Sequence, residues 1–161
     1  MGKITLVIHG GAGTIHKEYM TPELEQAYIQ GLKEALYFGY SELESGGDAV
    51  DAVKKAVVTL ENNILFNAGR GSVFTRRGTH EMDAGIMDGK SLKAGAVSCV
   101  SNIPNPIELA AKVMYNSKHV FLTGKGANNF AVRQGIKLEP DEYFFSQFRY
   151  DQWKAIRNSK K

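Results

Sequence analysis

The hydrophobic period of this chain changes at Ile64, and that change limits what it can fold into more than any other feature. Before it, apolar residues recur at helical spacing in two segments. The first carries Leu24, Ala27, Tyr28, Gly31, Leu32, Ala35 and Leu36; the second carries Ala49, Val50, Val53, Ala56, Val57 and Leu60. Thr21-Pro22-Glu23 opens the first helix with a capping hydroxyl, a proline at the first helical position and an acid near the positive end of the dipole. Gly46-Gly47 stops it, and Asp48 is placed to cap the second, which should end near Glu61-Asn62-Asn63. From Ile64 to Ser101 the apolar segments are short and punctuated by glycine, so Val73-Phe74, Ala84 to Met87 and Ala94 to Val100 read as strands.

The flanks complete the pattern. Ile4 to Ile8 reads as a buried strand running into a glycine turn. Asn105-Pro106-Ile107-Glu108 resembles a capping box that starts a helix to about Asn116. Val120 to Leu122 reads as a strand, Ala127 to Gln134 as a short helix closed by Gly135, and Phe148 to Ile156 as a polar helix. Helices and strands do not alternate as regular βαβ units, so the predicted class is α+β, in one domain over residues 1–161 with a tail after about 157. The basic stretch Arg157 to Lys161 neither packs nor caps, as expected of a chain trimmed or processed there.

Composition excludes several functions. The 161 residues are 43% hydrophobic and 23% charged, which disfavours disorder throughout. The formal charge of +3 comes from 20 basic and 17 acidic residues mixed along the chain, so no nucleic-acid partner is expected. No apolar stretch is long enough to span a bilayer and no signal-peptide pattern is visible, which makes the cytoplasm the expected address. Cys99 is the only cysteine and sits in an apolar run, where a buried, inert thiol is expected.

Familiar catalytic motifs are missing. There is no P-loop, and His16 stands where a dinucleotide fingerprint needs its third glycine. No Gly-x-Ser-x-Gly elbow serves His80 or His119, and Glu81, Asp83 and Asp88 form no ligand spacing with the histidines. His9 reads as a satisfied turn histidine and Asp83 as a structural acid, while Asp88-Gly89 has the chemistry of a hairpin loop. Met82, Met87 and Met114, with Tyr143-Phe144-Phe145, read as core or as cover for a partner surface. The segment Leu60 to Gly69 admits two readings. Helix-end carbonyls turned onto one point by a curling loop can hold a hard cation such as sodium through main-chain oxygens alone; equally, the loop can be tied by its own asparagine-to-backbone bonds.

Several ordered motifs together point further. His9-Gly10-Gly11-Ala12-Gly13, Gly47 to Val53, Phe66-Asn67-Ala68-Gly69-Arg70-Gly71-Ser72, Glu81 to Gly89, Gly95-Ala96-Val97-Ser98 and Asn105-Pro106-Ile107 resemble the α subunit of plant-type asparaginases/isoaspartyl peptidases, which are N-terminal-nucleophile hydrolases. The resemblance implies an αββα sandwich of which this chain supplies about half, a precursor that cuts itself before a threonine, and an (αβ)2 heterotetramer. By the same resemblance, that threonine lies on the β chain and attacks L-asparagine or isoaspartyl dipeptides. On this chain it implies that Asn67 supports the nucleophile and that Gly10 and Gly11 form a turn linked to self-cleavage. It also implies a structural sodium ion on the main-chain oxygens of Leu60, Glu61, Asn63, Phe66, Ala68 and Arg70, and no organic cofactor. The other reading is a stand-alone asparaginase-like binding or structural domain without catalysis.

Overall fold

A computed structural model describes residues 4–11 and 20–159. Among the described residues, six helices and three strands follow in the order α1 (Pro22–Glu44), α2 (Ala49–Asn62), β1 (Met82–Met87), β2 (Ala94–Val100), α3 (Pro106–Asn116), β3 (Phe121–Thr123), α4 (Gly124–Arg133), α5 (Asp141–Phe144) and α6 (Gln147–Ser159), with a 3-10 turn at Gly69–Gly71. The class is α+β, as expected. Thr21 Oγ1 accepts the Leu24 N–H at 3.2 Å and Asp48 Oδ1 accepts the Asp51 N–H at 3.0 Å, so both anticipated caps close the starts of α1 and α2. The two helices approach closely because Gly39 has no Cβ, which would lie 2.9 Å from the Ala52 carbonyl oxygen.

The sheet has the order β1-β2-β3, antiparallel between the first pair and parallel between the second. Helix α3 covers one face, and it can sit so low because Gly95 stands beneath it; a Cβ there would collide with the Ala110 carbonyl and lie 2.8 Å from Met114 Cβ. Val97, Val100, Ile103, Leu109, Val113 and Phe144 are fully buried in this layer. Each such side chain stabilises the fold by about 1.5–3 kcal/mol relative to exposure. The opposite face carries Gly85, Met87, Ala96 and Phe121, and it is open: Met87 is 59% and Phe121 55% exposed. A second, smaller cluster forms where Ala35, Leu60 and Phe66 meet Ile8, Tyr28, Leu32 and Leu65.

Five local expectations are corrected. Residues 4–8 have strand-like alternation, with Ile4, Leu6 and Ile8 half-buried and Val7 83% exposed, but they pair with no strand among the described residues. A strand exists only through a neighbour's hydrogen bonds, and the apolar pattern cannot supply one. Val73-Phe74 likewise leaves the 3-10 turn without joining the sheet. Cys99 is exposed rather than buried. Ser98 and Cys99 together oppose Asp83 in a β-bulge, and Cys99, at φ 52°, is turned outward by it. Asn105 makes no side-chain cap for α3; its Nδ2 donates to Asn62 Oδ1 instead. Finally, α4 begins at Gly124 and α5 forms a short helix where none was expected.

Candidate functional site

The loop after α2 is built around one ring. Phe66 is buried, and Tyr28 meets it edge-on at 5.7 Å. Gly10 and Gly31 press on it from two sides, since a Cβ on Gly10 would lie 3.3 Å, and on Gly31 2.8 Å, from ring carbons of Phe66. The expected turn and the expected loop, more than fifty positions apart in the chain, therefore meet at Phe66. Gly11 has φ 114°, a conformation natural only to glycine, and its N–H donates to His9 Nδ1 at 3.2 Å. His9 is thus the satisfied turn residue anticipated for it. Ala12, Gly13 and His16 lie outside the described residues, as do Lys160 and Lys161.

Beyond Phe66 the loop bends back on the end of α2. Gly69 has φ 49°, and a Cβ there would collide with the Glu61 carbonyl oxygen and lie 2.7 Å from that of Pro104. A Cβ on Gly71 would collide with the Phe66 carbonyl and lie 2.6 Å from that of Ile64. Two glycines thus let four carbonyl oxygens crowd against the bend. Two of those oxygens, from Glu61 and Phe66, belong to the expected ligand set. Within that set, Leu60 O accepts Asn63 N–H at 3.1 Å, Asn63 O accepts Phe66 N–H at 3.3 Å, Phe66 O accepts Ala68 N–H at 2.9 Å, and Ala68 O accepts Gly71 N–H at 3.0 Å. Each keeps a second lone pair. Oxygen donors of this kind suit a hard cation, and no group of acidic, histidine or cysteine side chains that could hold a metal occurs among the described residues.

The loop is also tied by its own asparagines, as the plainer reading anticipates: Asn63 Oδ1 accepts Leu65 N–H at 3.0 Å and Asn67 Oδ1 accepts Val73 N–H at 2.9 Å. Asn67 is exposed, and its amide nitrogen has no hydrogen-bond partner among the described residues. An amide donor presented on a rigid bend can orient a hydroxyl or a water. Arg70 extends its guanidinium over Tyr143 at 5.6 Å, so its side chain is engaged away from a carbonyl role.

Sequence reasoning missed Glu61's side chain. It is only 3% exposed, and its Oε1 accepts the Ile107 N–H at 3.0 Å, capping α3 from a distance of 46 residues in the chain. Oε2 is buried with no partner among the described residues. Burial pushes this carboxyl up to about 8, against the pull of the Ile107 N–H and the Asn105 side chain. An acid at the end of an amphipathic helix gives no sequence signal for such a role, because its partner is set by tertiary packing. Ser72 and His80 form a second buried pair, Oγ to Nδ1 at 3.1 Å, with the His80 ring 4.3 Å from Phe74. Burial lowers the pKa of His80. Both residues are buried, so the pair joins the loop to β1 rather than facing a substrate.

Asp83 is structural, as expected. Its carboxylate is held low by the Ser98 hydroxyl and by the Cys99 N–H, which donates to Oδ1 at 2.8 Å, and so it closes the bulge. Asp88 closes the β1–β2 turn by accepting the Lys90 and Ser91 N–H groups. Met82 and Met114 lie in the core, whereas Met87 faces outward on the open sheet.

An asparagine-bearing glycine loop wrapped on a buried aromatic stands beside a three-stranded sheet with one bare face, in an α+β layer. A profile of the family described as Asparaginase matches residues 2–161, and the chain belongs to that family. It is 48% identical over 157 residues to the isoaspartyl peptidase of Salmonella typhimurium, covering 98% of this chain and 50% of that protein. To the isoaspartyl peptidase of Escherichia coli it is 47% identical over 157 residues, covering 98% and 49%. To the plant-type L-asparaginase of Pyrococcus horikoshii it is 46% identical over 154 residues, covering 96% and 48%. The chain spans about half the length of the curated relatives it matches. No described helix is long and apolar enough to cross a membrane.

Proposed function

We propose that this chain is the α subunit of a threonine-nucleophile amidohydrolase, acting in the cytoplasm, that hydrolyses L-asparagine to L-aspartate and ammonia and cleaves isoaspartyl dipeptides. The observation that carries the reading is near-half identity over 98% of the chain to proteins named isoaspartyl peptidase. The bare sheet face, and residues 4–8 without a paired strand among the described residues, support it. An αββα sandwich needs a second sheet on the first and a neighbouring strand on the second, and a β subunit from the same precursor would bring both. Two such αβ units make the (αβ)2 assembly of this reading.

In that enzyme the threonine hydroxyl adds to the side-chain carbonyl while its own α-amino group takes the proton. The proton then leaves with ammonia or the amino group of the departing peptide, and water hydrolyses the acyl ester. This chain contributes support. Asn67 would present its amide nitrogen near the hydroxyl or the water, and the turn at Gly10 and Gly11 would bear on self-cleavage through its seat on Phe66. A sodium ion on the carbonyls of Leu60, Glu61, Asn63, Phe66, Ala68 and Arg70 fits the crowding of oxygens against Gly69 and Gly71. When bound, it would supply structural charge compensation and no chemistry.

Mass spectrometry of the full-length gene product, with assays of ammonia release from L-asparagine and of isoaspartyl dipeptide cleavage, tests the reading. Two chains, the second beginning with threonine, and hydrolysis of at least one substrate are expected. A single uncut, inactive polypeptide, with this chain soluble and monomeric by itself, would favour the stand-alone domain.

A further inference from the structure

Helix α6 buries none of its residues, so core packing does not hold it in place. Its polar anchor is the candidate loop. Arg149 Nε donates to the Gly71 carbonyl at 3.2 Å and Nη2 donates to the Leu65 carbonyl at 3.1 Å, across 78 and 84 residues of chain. The Tyr28 hydroxyl donates to the same Leu65 oxygen at 3.2 Å, which occupies both of its lone pairs. Aromatic contacts dock the rest of the helix: a Cβ on Gly78 would lie 3.2 Å from the Trp153 indole, and Phe74 meets Tyr150 and Trp153 at 5.9 Å each.

The two carbonyls that Arg149 grips bracket residues 66–70, and neither belongs to the set assigned to the ion. We propose that Arg149 is a positioning residue for the ion-binding bend. Its fork fixes the bend at both ends and holds the intervening Phe66, Ala68 and Arg70 carbonyls in the shape a monovalent cation needs. The inference rests on the sodium reading above. Its physical basis is preorganisation. Neutral carbonyls bind a singly charged ion weakly, so ordering the bend on binding would cost much of the affinity. A guanidinium presents its donors in a rigid plane and can hold two acceptors at a set separation, whereas an ammonium is a point charge. Arg149 is half-buried, and its own positive charge opposes a nearby cation. Charge and geometry therefore predict opposite effects when it is removed.

The test measures thermal stability of the full-length protein against sodium chloride, with choline chloride keeping ionic strength constant, for the unaltered protein and for Arg149→Ala, Arg149→Lys and Lys154→Ala. The sodium concentration giving half the stabilisation is expected to rise about tenfold in Arg149→Ala, the loss typical of removing charge-assisted hydrogen bonds. It should rise similarly in Arg149→Lys, which keeps the charge and loses the fork, and stay unchanged in Lys154→Ala, on the same helix but over Tyr150. A role confined to fastening α6 would lower the melting temperature equally at every sodium concentration and leave the midpoint in place, and that result overturns the proposal. So does a midpoint that falls in Arg149→Ala and holds in Arg149→Lys, since charge repulsion would then govern. Should Arg149→Ala not fold, Arg149→Lys alone decides. Indifference of the unaltered protein to sodium removes the ion reading itself and this inference with it.

Discussion

Replacing Gly69 by alanine separates two costs that the loop imposes on one residue. At φ 49° the residue lies in the left-handed region, where a Cβ costs roughly 1–2 kcal/mol. That Cβ would also collide with the Glu61 carbonyl and lie 2.7 Å from Glu61 Cβ and from the Pro104 carbonyl. Those neighbours are backbone or helix-anchored, so they yield poorly, and overpacking of this kind costs about 1–3 kcal/mol. The sum is about 2–5 kcal/mol. Gly46→Ala is the control for strain alone, because Gly46 has φ 88° and nothing within 4 Å of its Cβ position; it should cost about 1–2 kcal/mol. Gly71→Ala is the control for collision alone, because its Cβ meets the Phe66 and Ile64 carbonyls without a left-handed φ; it should cost about 1–3 kcal/mol. Urea unfolding of the full-length protein gives the three differences, and Gly69→Ala should exceed each control. If Gly69→Ala costs no more than Gly46→Ala, the carbonyls of Glu61 and Pro104 do not crowd that position and the argument for an oxygen-lined bend fails.

Three further outcomes follow from the same geometry. Glu61 is raised from 4.5 to about 8 by burial, so in sodium-free buffer the unfolded chain releases its proton first as pH rises. Its stabilising contribution is complete below pH 4.5 and should fall by about 1.4 kcal/mol per pH unit until about pH 8. Glu61→Gln keeps the acceptor for the Ile107 N–H without the charge, so it should be more stable than the unaltered protein by about 3 kcal/mol at pH 7 and equal to it near pH 4. Parallel denaturation profiles across that range would contradict the burial of Oε2. Phe66→Ala removes the ring on which Gly10, Gly31 and Tyr28 converge, with an expected loss of about 3–5 kcal/mol in denaturant unfolding; a loss under about 1 kcal/mol, the scale of an ordinary surface change, would mean the ring is not the pivot of the loop. Asn67→Ala should lose about 1 kcal/mol with its bond to Val73 and slow hydrolysis or self-cleavage while circular dichroism stays unchanged. Unaltered kinetics would take Asn67 out of the site.

The sequence by itself determined the parts whose physics is local. Thr21-Pro22 and Asp48 supply their own caps, helical spacing sets the buried stripes of α1 and α2, and Ala94 to Val100 and Pro106 to Asn116 take the bounds their patterns dictate. The loop motif was legible as well, because Asn67, Gly69 and Gly71 are residue types that a tight bend requires. Tertiary structure decided what depends on a distant partner. Asn105 looks like the cap of α3, but Glu61, 46 residues before Ile107, takes the Ile107 N–H because the end of α2 packs against it. Cys99 lies in an apolar run and still faces outward, because Asp83 alone cannot match two residues of β2 without a bulge.

 The strand pairing sets that count, with Asp83 accepting the Cys99 N–H across the bulge. Residues 4–8 alternate like a strand yet lack a ladder among the described residues, since alternation records which face is buried and not which backbone lies alongside. Arg149 reads as one more charge on a polar helix, and only the fold brings its guanidinium to Leu65 and Gly71. Local propensity and periodicity are written within a few residues of where they act, whereas a cap, a bulge or a clasp exists only once segments far apart in the chain have packed together.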